Sequence, residues 1–259
     1  MIDLHCHILP GLDDGAASDA ETLKMAKELL AEGVDTVVAT PHVNSIYALD
    51  VATIQGKVEH CRKLFAQHDL PLHILAGGEI AMSGDVLALW RRGSLPGLSG
   101  TKALLLELPS LFPAEGVRRL IEEWSAMGAV VIIAHPERNS ALARNPKLVE
   151  TLRYAGARFQ LTAASLDGQF GQAAQDFAEL LLRRRMVEYV ASDLHPGRSA
   201  GLKKAGKRIK KLCGEGMADD LLRNNPDALL AGESFRLVCS KRRKYLFEIP
   251  KLMYYIHSI

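Results

Sequence analysis

Six consecutive residues, Ala129-Val130-Val131-Ile132-Ile133-Ala134, carry no polar side chain. A strand with one wet face alternates apolar and polar positions, so an unbroken run predicts a parallel strand covered on both sides. Further strand-like runs are Met1–His5, Thr36–Ala39, Leu72–Ala76, Ala103–Leu108, Arg158–Thr162 and Val187–Ala191, making seven in all. Between them, apolar residues return every three or four positions, as on one face of a helix. Leu23, Ala26 and Leu30 form one such set, and Val51, Ile54, Val58, Cys61 and Phe65 another. Val117, Leu120, Ile121 and Trp124 follow, then Phe177, Leu180 and Leu181. Ser18-Asp19-Ala20-Glu21 reads as a capping box opening the first helix, which stops at Gly33. Helices dominate after residue 198, with Asn225 expected as an N-cap, Pro226 at the first helical position and Gly232 near the end. Strands alternating with helices predict a parallel α/β fold.

Composition narrows this little. The 259 residues are 48% hydrophobic and 24% charged, an ordinary globular balance. A single α/β barrel reaches this length undivided. The net charge of +2 argues against a dedicated nucleic-acid binder. Four scattered cysteines (Cys6, Cys61, Cys213, Cys239) form no C-x-x-C pair, nothing reads as a signal peptide, and no apolar run approaches the ~20 residues that span a bilayer. The expectation is a cytoplasmic protein with reduced thiols.

The chemistry lies in where the ionisable residues fall. His5 and His7 end the first strand, and the two-residue strand period puts both imidazoles on one face with Cys6 on the other. His42 follows the second strand, Glu79 the third, Glu107 closes the fourth, His135 follows the fifth, and Asp193 and His195 follow the seventh. Six of seven strands thus deliver a metal-competent side chain at the carboxyl end, where α/β barrels keep their active sites. A lone H-x-H is a weak signal, and each residue has a bland reading alone. Their convergence does not, because gathering so many imidazoles and carboxylates is costly without cations. His60, His68, His73 and His257 fall elsewhere and read as structural or solvent-facing; Asp3 reads as a supporting group rather than a ligand. Between Asp13 and Asp14, spacing does not choose. Imidazole mixed with carboxylate and no thiolate favours manganese or iron, with zinc as a further candidate.

These residues also carry a resemblance. Met1 through Gly15 (MIDLHCHILPGLDDG), Ala39-Thr40-Pro41-His42, His135-Pro136-Glu137-Arg138-Asn139 and Ala191-Ser192-Asp193-Leu194-His195 resemble the polymerase-and-histidinol-phosphatase (PHP) family. Within it they look most like the manganese-dependent bacterial protein-tyrosine phosphatases of capsule and exopolysaccharide operons. The likeness runs from residue 1 to 233, including Thr162-Ala163-Ala164-Ser165 and Asn224-Asn225-Pro226-Asp227, and leaves 234–259 as a tail of unknown role. It departs at Val43, where close relatives often carry a second histidine.

The resemblance implies a distorted TIM-like (β/α)7 barrel with its metal site at the C-terminal ends of the strands, and two or three ions, manganese first. His5, His7, Glu79 and Asp193 would hold one ion. Glu79 would bridge to a second with Glu107 and His135, while Asp14, His42 and His195 would hold a third. Arg138 and Arg198 would contact the substrate phosphate. The implied partner is a phosphotyrosine-bearing protein, a tyrosine autokinase controlling polysaccharide synthesis. Rival readings are a small-molecule phosphatase of histidinol-phosphatase type, an amidohydrolase-like metal hydrolase and a catalytically silent metal-binding regulator.

Cysteine-based phosphatases place an arginine six residues after the nucleophile; here those positions are Leu12, Gln67, Asp219 and Tyr245, which excludes that route. Lys203, Lys204, Lys207, Arg208, Lys210 and Lys211 read as a solvated helix face, with a landing patch for an acidic or membrane-proximal partner as the functional alternative.

Overall fold

The computed structural model describes residues 1–83 and 86–232; the tail from 234, with Cys239, His257 and the basic-then-aromatic run from Lys241, lies outside the described residues. The chain begins β1(Ile2–Cys6), α1(Asp19–Ala31), β2(Thr36–Ala39), β3(His42–Val43), α2(Val51–Gln67), β4(His73–Ala76), β5(Glu79–Ala81) and α3(Val86–Arg91). It continues β6(Ala103–Glu107), α4(Ala114–Ala126), β7(Val130–Ala134), α5(Ser140–Arg144), α6(Lys147–Tyr154), β8(Arg158–Thr162), α7(Gln172–Arg183) and β9(Tyr189–Ala191). α8(Leu202–Cys213), α9(Glu215–Asp219) and α10(Asn225–Leu230) complete it.

All strand pairs are parallel, in two sheets ordered β1-β2-β4 and β3-β5-β6-β7-β8-β9. Seven strands fall on the expected runs, and two short ones that were not expected, β3 and β5, follow β2 and β4. Thr40-Pro41 separates β2 from β3, since proline cannot donate to the ladder. Gly77-Gly78 separates β4 from β5, and the chain packs so closely there that a Cβ on Gly78 would lie 2.4 Å from Pro96 Cγ. At the far edges β1 meets the segment after β9: Asp193 N–H donates to His5 O (2.8 Å) and His7 N–H to Leu194 O (3.1 Å).

The apolar run sits where its composition requires. Along β7, Val131 and Ile133 join the large core beneath the helices, whereas Ile132 and Ala134 join a second buried cluster with Leu105, Tyr189 and Leu229. β6 alternates in register, with Leu104 and Leu106 toward the first cluster and Ala103 and Leu105 toward the second. Both faces are dry, as the unbroken pattern predicts.

Local signals hold with one correction. Ser18 Oγ accepts from Glu21 N–H (3.4 Å), and Glu21 reaches back to Ala17 N–H (2.7 Å). Asn225, however, is not an N-cap: its φ of −67° and ψ of −45° are helical, because a π-helical turn over Asp220–Asn224 runs straight into α10. Its side chain instead donates to Glu188 O (2.8 Å). Pro226 has no N–H, so the irregular turn falls where the ladder would lack a donor.

Candidate active site

β1 places His5 and His7 two residues apart, and both are fully buried. Each ring is fixed through its Nδ1. His5 Nδ1 lies 2.9 Å from Gln160 Oε1, and His7 Nδ1 lies 2.7 Å from Asp13 Oδ2. These partners are acceptors, because Gln160 commits its own NH2 to Leu161 O (2.7 Å) and Asp13 is a carboxylate. Their Nδ1 protons therefore point outward, and the two Nε2 atoms lie 3.1 Å apart. A cation held between them would suit two ring nitrogens at that distance.

Two carboxylates close the same space. Glu79 Oε2 is 3.3 Å from His5 Nε2 and 3.4 Å from His7 Nε2; Asp193 Oδ1 is 3.4 Å and 3.5 Å from the same atoms. Ligands about 2.0–2.2 Å from one tetrahedral ion stand about 3.3–3.6 Å apart, and neighbouring octahedral ligands somewhat closer. The observed spacings fit a shared divalent cation. Burial pushes both carboxyl pKa values up, but the surrounding imidazoles outweigh it and hold both well below the ordinary range. Against the effect of burial, Glu79 and Asp193 raise the pKa of His5, and Asp13 with Asp193 and Glu79 raises that of His7.

A second group shares Glu79. Its Oε1 is 2.7 Å from His135 Nε2, and Glu107 Oε1, a third exposed, lies 3.9 Å from the same nitrogen. His42 Nδ1 stands 3.0 Å from Glu79 Oε2, yet it is buried without a hydrogen-bond partner. A nitrogen that close to a carboxylate but out of line with it suits two ligands aimed at a common ion.

The third group is Asp14, His42 and His195. Asp14 Oδ1 is 3.5 Å from His42 Nε2 and 3.4 Å from His195 Nε2. Burial and the nearby His7 charge lower the His195 pKa, favouring the neutral, ligating ring. His7 also lies within this group: its ring stacks on that of His195 with centroids 4.0 Å apart.

The residues around the ligands explain the local sequence. Asp13 shapes the turn, accepting from Gly15 N–H (2.9 Å) and His42 N–H (2.9 Å), while Asp14 projects toward the imidazoles. Gly15 folds back so tightly on His7 that a Cβ there would meet its carbonyl oxygen at 2.1 Å. Asp3 accepts from Ser192 N–H (2.9 Å) and Ser192 Oγ–H (2.5 Å), binding β1 to the Asp193 segment without reaching the ligand cluster. His135 and Asp193 have φ of 31° and 50°, a left-handed backbone unusual outside glycine that costs about 1–3 kcal/mol and collects at functional sites.

All nine expected metal ligands meet here. Arg138 and Arg198 stand at the rim: Arg138 Nη1 binds Asp193 Oδ2, and Arg198 Nη1 lies 3.3 Å from His195 Nδ1. Two neighbours were not foreseen. Gln160 orients His5 from β8, the one of the seven expected strands that supplies no ligand, and the Phe170 ring centroid lies 4.4 Å from Arg138 Cζ and 5.8 Å from Arg198 Cζ. Neither has a sequence signal beyond its residue type. Cys6 is buried in the core and its thiol pKa is pushed well up by burial, so it offers no thiolate to the site. Of the histidines read as structural or solvent-facing, His60 pairs with Asp19 at the surface (2.8 Å), His68 Nδ1 lies 2.9 Å from Leu64 O and His73 is exposed, while His257 lies outside the described residues.

The chain is similar to known proteins over most of its length. Residues 1–231 match a family described as capsular polysaccharide synthesis, CpsB/CapC. The tyrosine-protein phosphatase YwqE of Bacillus subtilis is 37% identical over 196 residues, covering 75% of this chain and 77% of that one. The tyrosine-protein phosphatase CpsB of Streptococcus agalactiae serotype V is 28% identical over 241 residues, covering 89% and 98%. A crystal structure from a study of YwqE from B. subtilis and CpsB from Streptococcus pneumoniae, described there as metal-dependent tyrosine phosphatases, superposes with a TM-score of 0.87 at 33% identity, covering 91% of this chain and 96% of that one. A β-aspartyl dipeptidase from Fervidobacterium islandicum AW-1 shares the fold at a TM-score of 0.54 and 16% identity.

Proposed function

This chain belongs to the capsular polysaccharide synthesis CpsB/CapC family, and we propose that it is a metal-dependent protein-tyrosine phosphatase using the nine clustered ligands. The observation that carries this reading is the convergence of His5, His7, Glu79 and Asp193 on one small space, with ring protons turned outward. In this reading the two sheets act as one seven-stranded barrel. The short gaps between β2 and β3 and between β4 and β5, with the parallel bridge from Cys6 to Leu194, support that closure. Residues 1–233 would form the phosphatase domain, and 234–259 a separate tail.

When bound, clustered divalent cations lower the pKa of a water they share and neutralise phosphoryl oxygens. His5, His7, Glu79 and Asp193 would hold the first ion, Glu79, Glu107 and His135 the second, and Asp14, His42 and His195 the third. Manganese is the preferred metal on the nitrogen and oxygen donor set, with iron and zinc as alternatives. Gln160 and Asp13 keep the Nε2 lone pairs of His5 and His7 aimed inward, and Arg138 holds Asp193 by its outer oxygen. Arg138 and Arg198 turn their remaining N–H groups toward the phosphate; charge-assisted donors in a planar fork suit its oxygens. Phenol is a moderate leaving group with a pKa of about 10, so no strong general acid is required.

The substrate in this reading is a phosphotyrosine protein, an autophosphorylating tyrosine kinase of polysaccharide export. Among the described residues Cys6, Cys61 and Cys213 are unpaired, which supports a cytoplasmic setting. Among the described residues no helix is long and apolar enough to cross a membrane. The deciding experiment measures bound metal, then turnover of a phosphotyrosine peptide, a phosphoserine peptide and histidinol phosphate. Preference for the phosphotyrosine peptide is expected; preference for histidinol phosphate would reassign the enzyme to small-molecule chemistry.

A further inference from the structure

We propose that Phe170 is a positioning residue that holds Arg138 and Arg198 side by side as a paired phosphate clamp; the inference rests on the phosphatase reading. Two guanidiniums at one rim repel each other, and a bound anion offsets this only once it has arrived. An aromatic face carries partial negative charge and attracts cations within about 6 Å. The Phe170 ring centroid lies inside that range of both, at 4.4 Å and 5.8 Å, and the ring is half-buried, so it is available to both while still bordering the mouth.

The segment bearing Phe170 is anchored to the neighbours of each arginine. On one side Glu137, next to Arg138, accepts from Thr162 N–H (3.0 Å) and Ser165 Oγ–H (2.7 Å) at the start of the segment. On the other, Asp167 pairs with Lys204 of α8 (2.8 Å), the helix that opens four residues after Arg198. Gly201, between Arg198 and α8, lies against Ala164, where a Cβ would stand 3.7 Å from its Cα. Gly168 and Gly171, with φ of 78° and 87°, turn the chain on either side and present Phe170 at the rim. Residues 163–171 thus bridge the two arginine-bearing segments, and the Phe170 ring lies within cation–π range of both guanidiniums.

The test uses the full, manganese-loaded chain as wild type, Phe170→Leu and Phe170→Tyr. Inorganic phosphate binding is measured by calorimetry, and kcat and KM with a phosphotyrosine peptide and an alkyl phosphate. Leucine keeps apolar bulk but removes the π face, so phosphate binding should weaken roughly tenfold, with KM rising in parallel for both esters and bound metal unchanged. Tyrosine should stay within about twofold of wild type, which a merely space-filling role would not distinguish from leucine. In an Arg138→Ala/Arg198→Ala background, Phe170→Leu should have no further effect on phosphate binding. Wild-type phosphate affinity in Phe170→Leu would overturn the proposal, and so would a loss confined to the aromatic ester. Failure of the phosphatase reading looks different: wild type itself would turn over neither ester, while the calorimetric comparison would still read Phe170.

Discussion

Two buried glutamates, Glu79 and Glu188, stand at opposite ends of the strands and show how one residue type serves two purposes. Glu188 immediately precedes β9 and is held by Arg153 and by Phe159 N–H (2.9 Å). Burial pushes its pKa up, and the Arg153 guanidinium, the Phe159 N–H and the nearby Arg158 charge do not fully compensate. Glu79 is at least as buried, yet His5, His42 and His135 surround it and its pKa is driven well down. The first arrangement fastens α6 to β8 and β9. The second places an ionised carboxylate among three imidazoles, an arrangement that suits a cation. Burial of charge alone therefore does not mark function; the identity and tautomer of the partners do.

Breaking the ligand end should cost the most. Asp193→Ala or His135→Ala should lower kcat by at least about a thousandfold, since bound metals contribute several kcal/mol to such reactions. Stopped-time assays with metal analysis of the folded variants check this, and intact turnover in either would defeat the metal reading. Removing the metals from wild type with a chelator should lower stability by about 2–3 kcal/mol if they are held at a hundredfold above Kd. Calorimetric melting with and without re-added manganese measures it. Asp13→Asn keeps a carbonyl acceptor but loses the charge behind His7, and metal affinity should fall about 10–100-fold.

That aspartate also shows what was legible in the chain and what was not. His5, His7, His42, Glu79, Glu107, His135, Asp193 and His195 could be read because each falls at or just beyond the carboxyl end of an expected strand, so topology brings them together. Asp13 and Asp14 are adjacent, and only the folded turn separates the one that orients His7 from the one that faces His42 and His195. Gln160 reaches His5 across 155 residues, and Phe170 sits in a turn outside any periodic element. Such contacts leave no local pattern. The breaks at Thr40-Pro41 and Gly77-Gly78 are visible as residue types, but whether they end a strand or merely bend it depends on neighbouring ladders. The π-helical turn before Pro226 was hidden for the same reason.

At the other end the effects should be smaller and should spare catalysis. Arg153→Ala leaves a buried carboxylate short of its charged donor, costing about 2 kcal/mol of stability, with kcat per folded molecule unchanged. Thermal melting and an active-fraction assay separate the two. Glu188→Gln should act mainly on pH dependence. A carboxyl whose folded pKa is raised favours the fold below its unfolded value of about 4.3, and that contribution disappears as pH climbs through the raised folded value. The variant should therefore show a flatter loss of stability over that interval than wild type. An unchanged pH slope would mean that Glu188 keeps an ordinary pKa.

The most direct measurement is anomalous diffraction at the manganese edge from crystals of the metal-loaded protein. The expected result is a peak enclosed by His5 Nε2, His7 Nε2, Glu79 Oε2 and Asp193 Oδ1. Crystals of active enzyme without metal among those four atoms would contradict a shared cation centre.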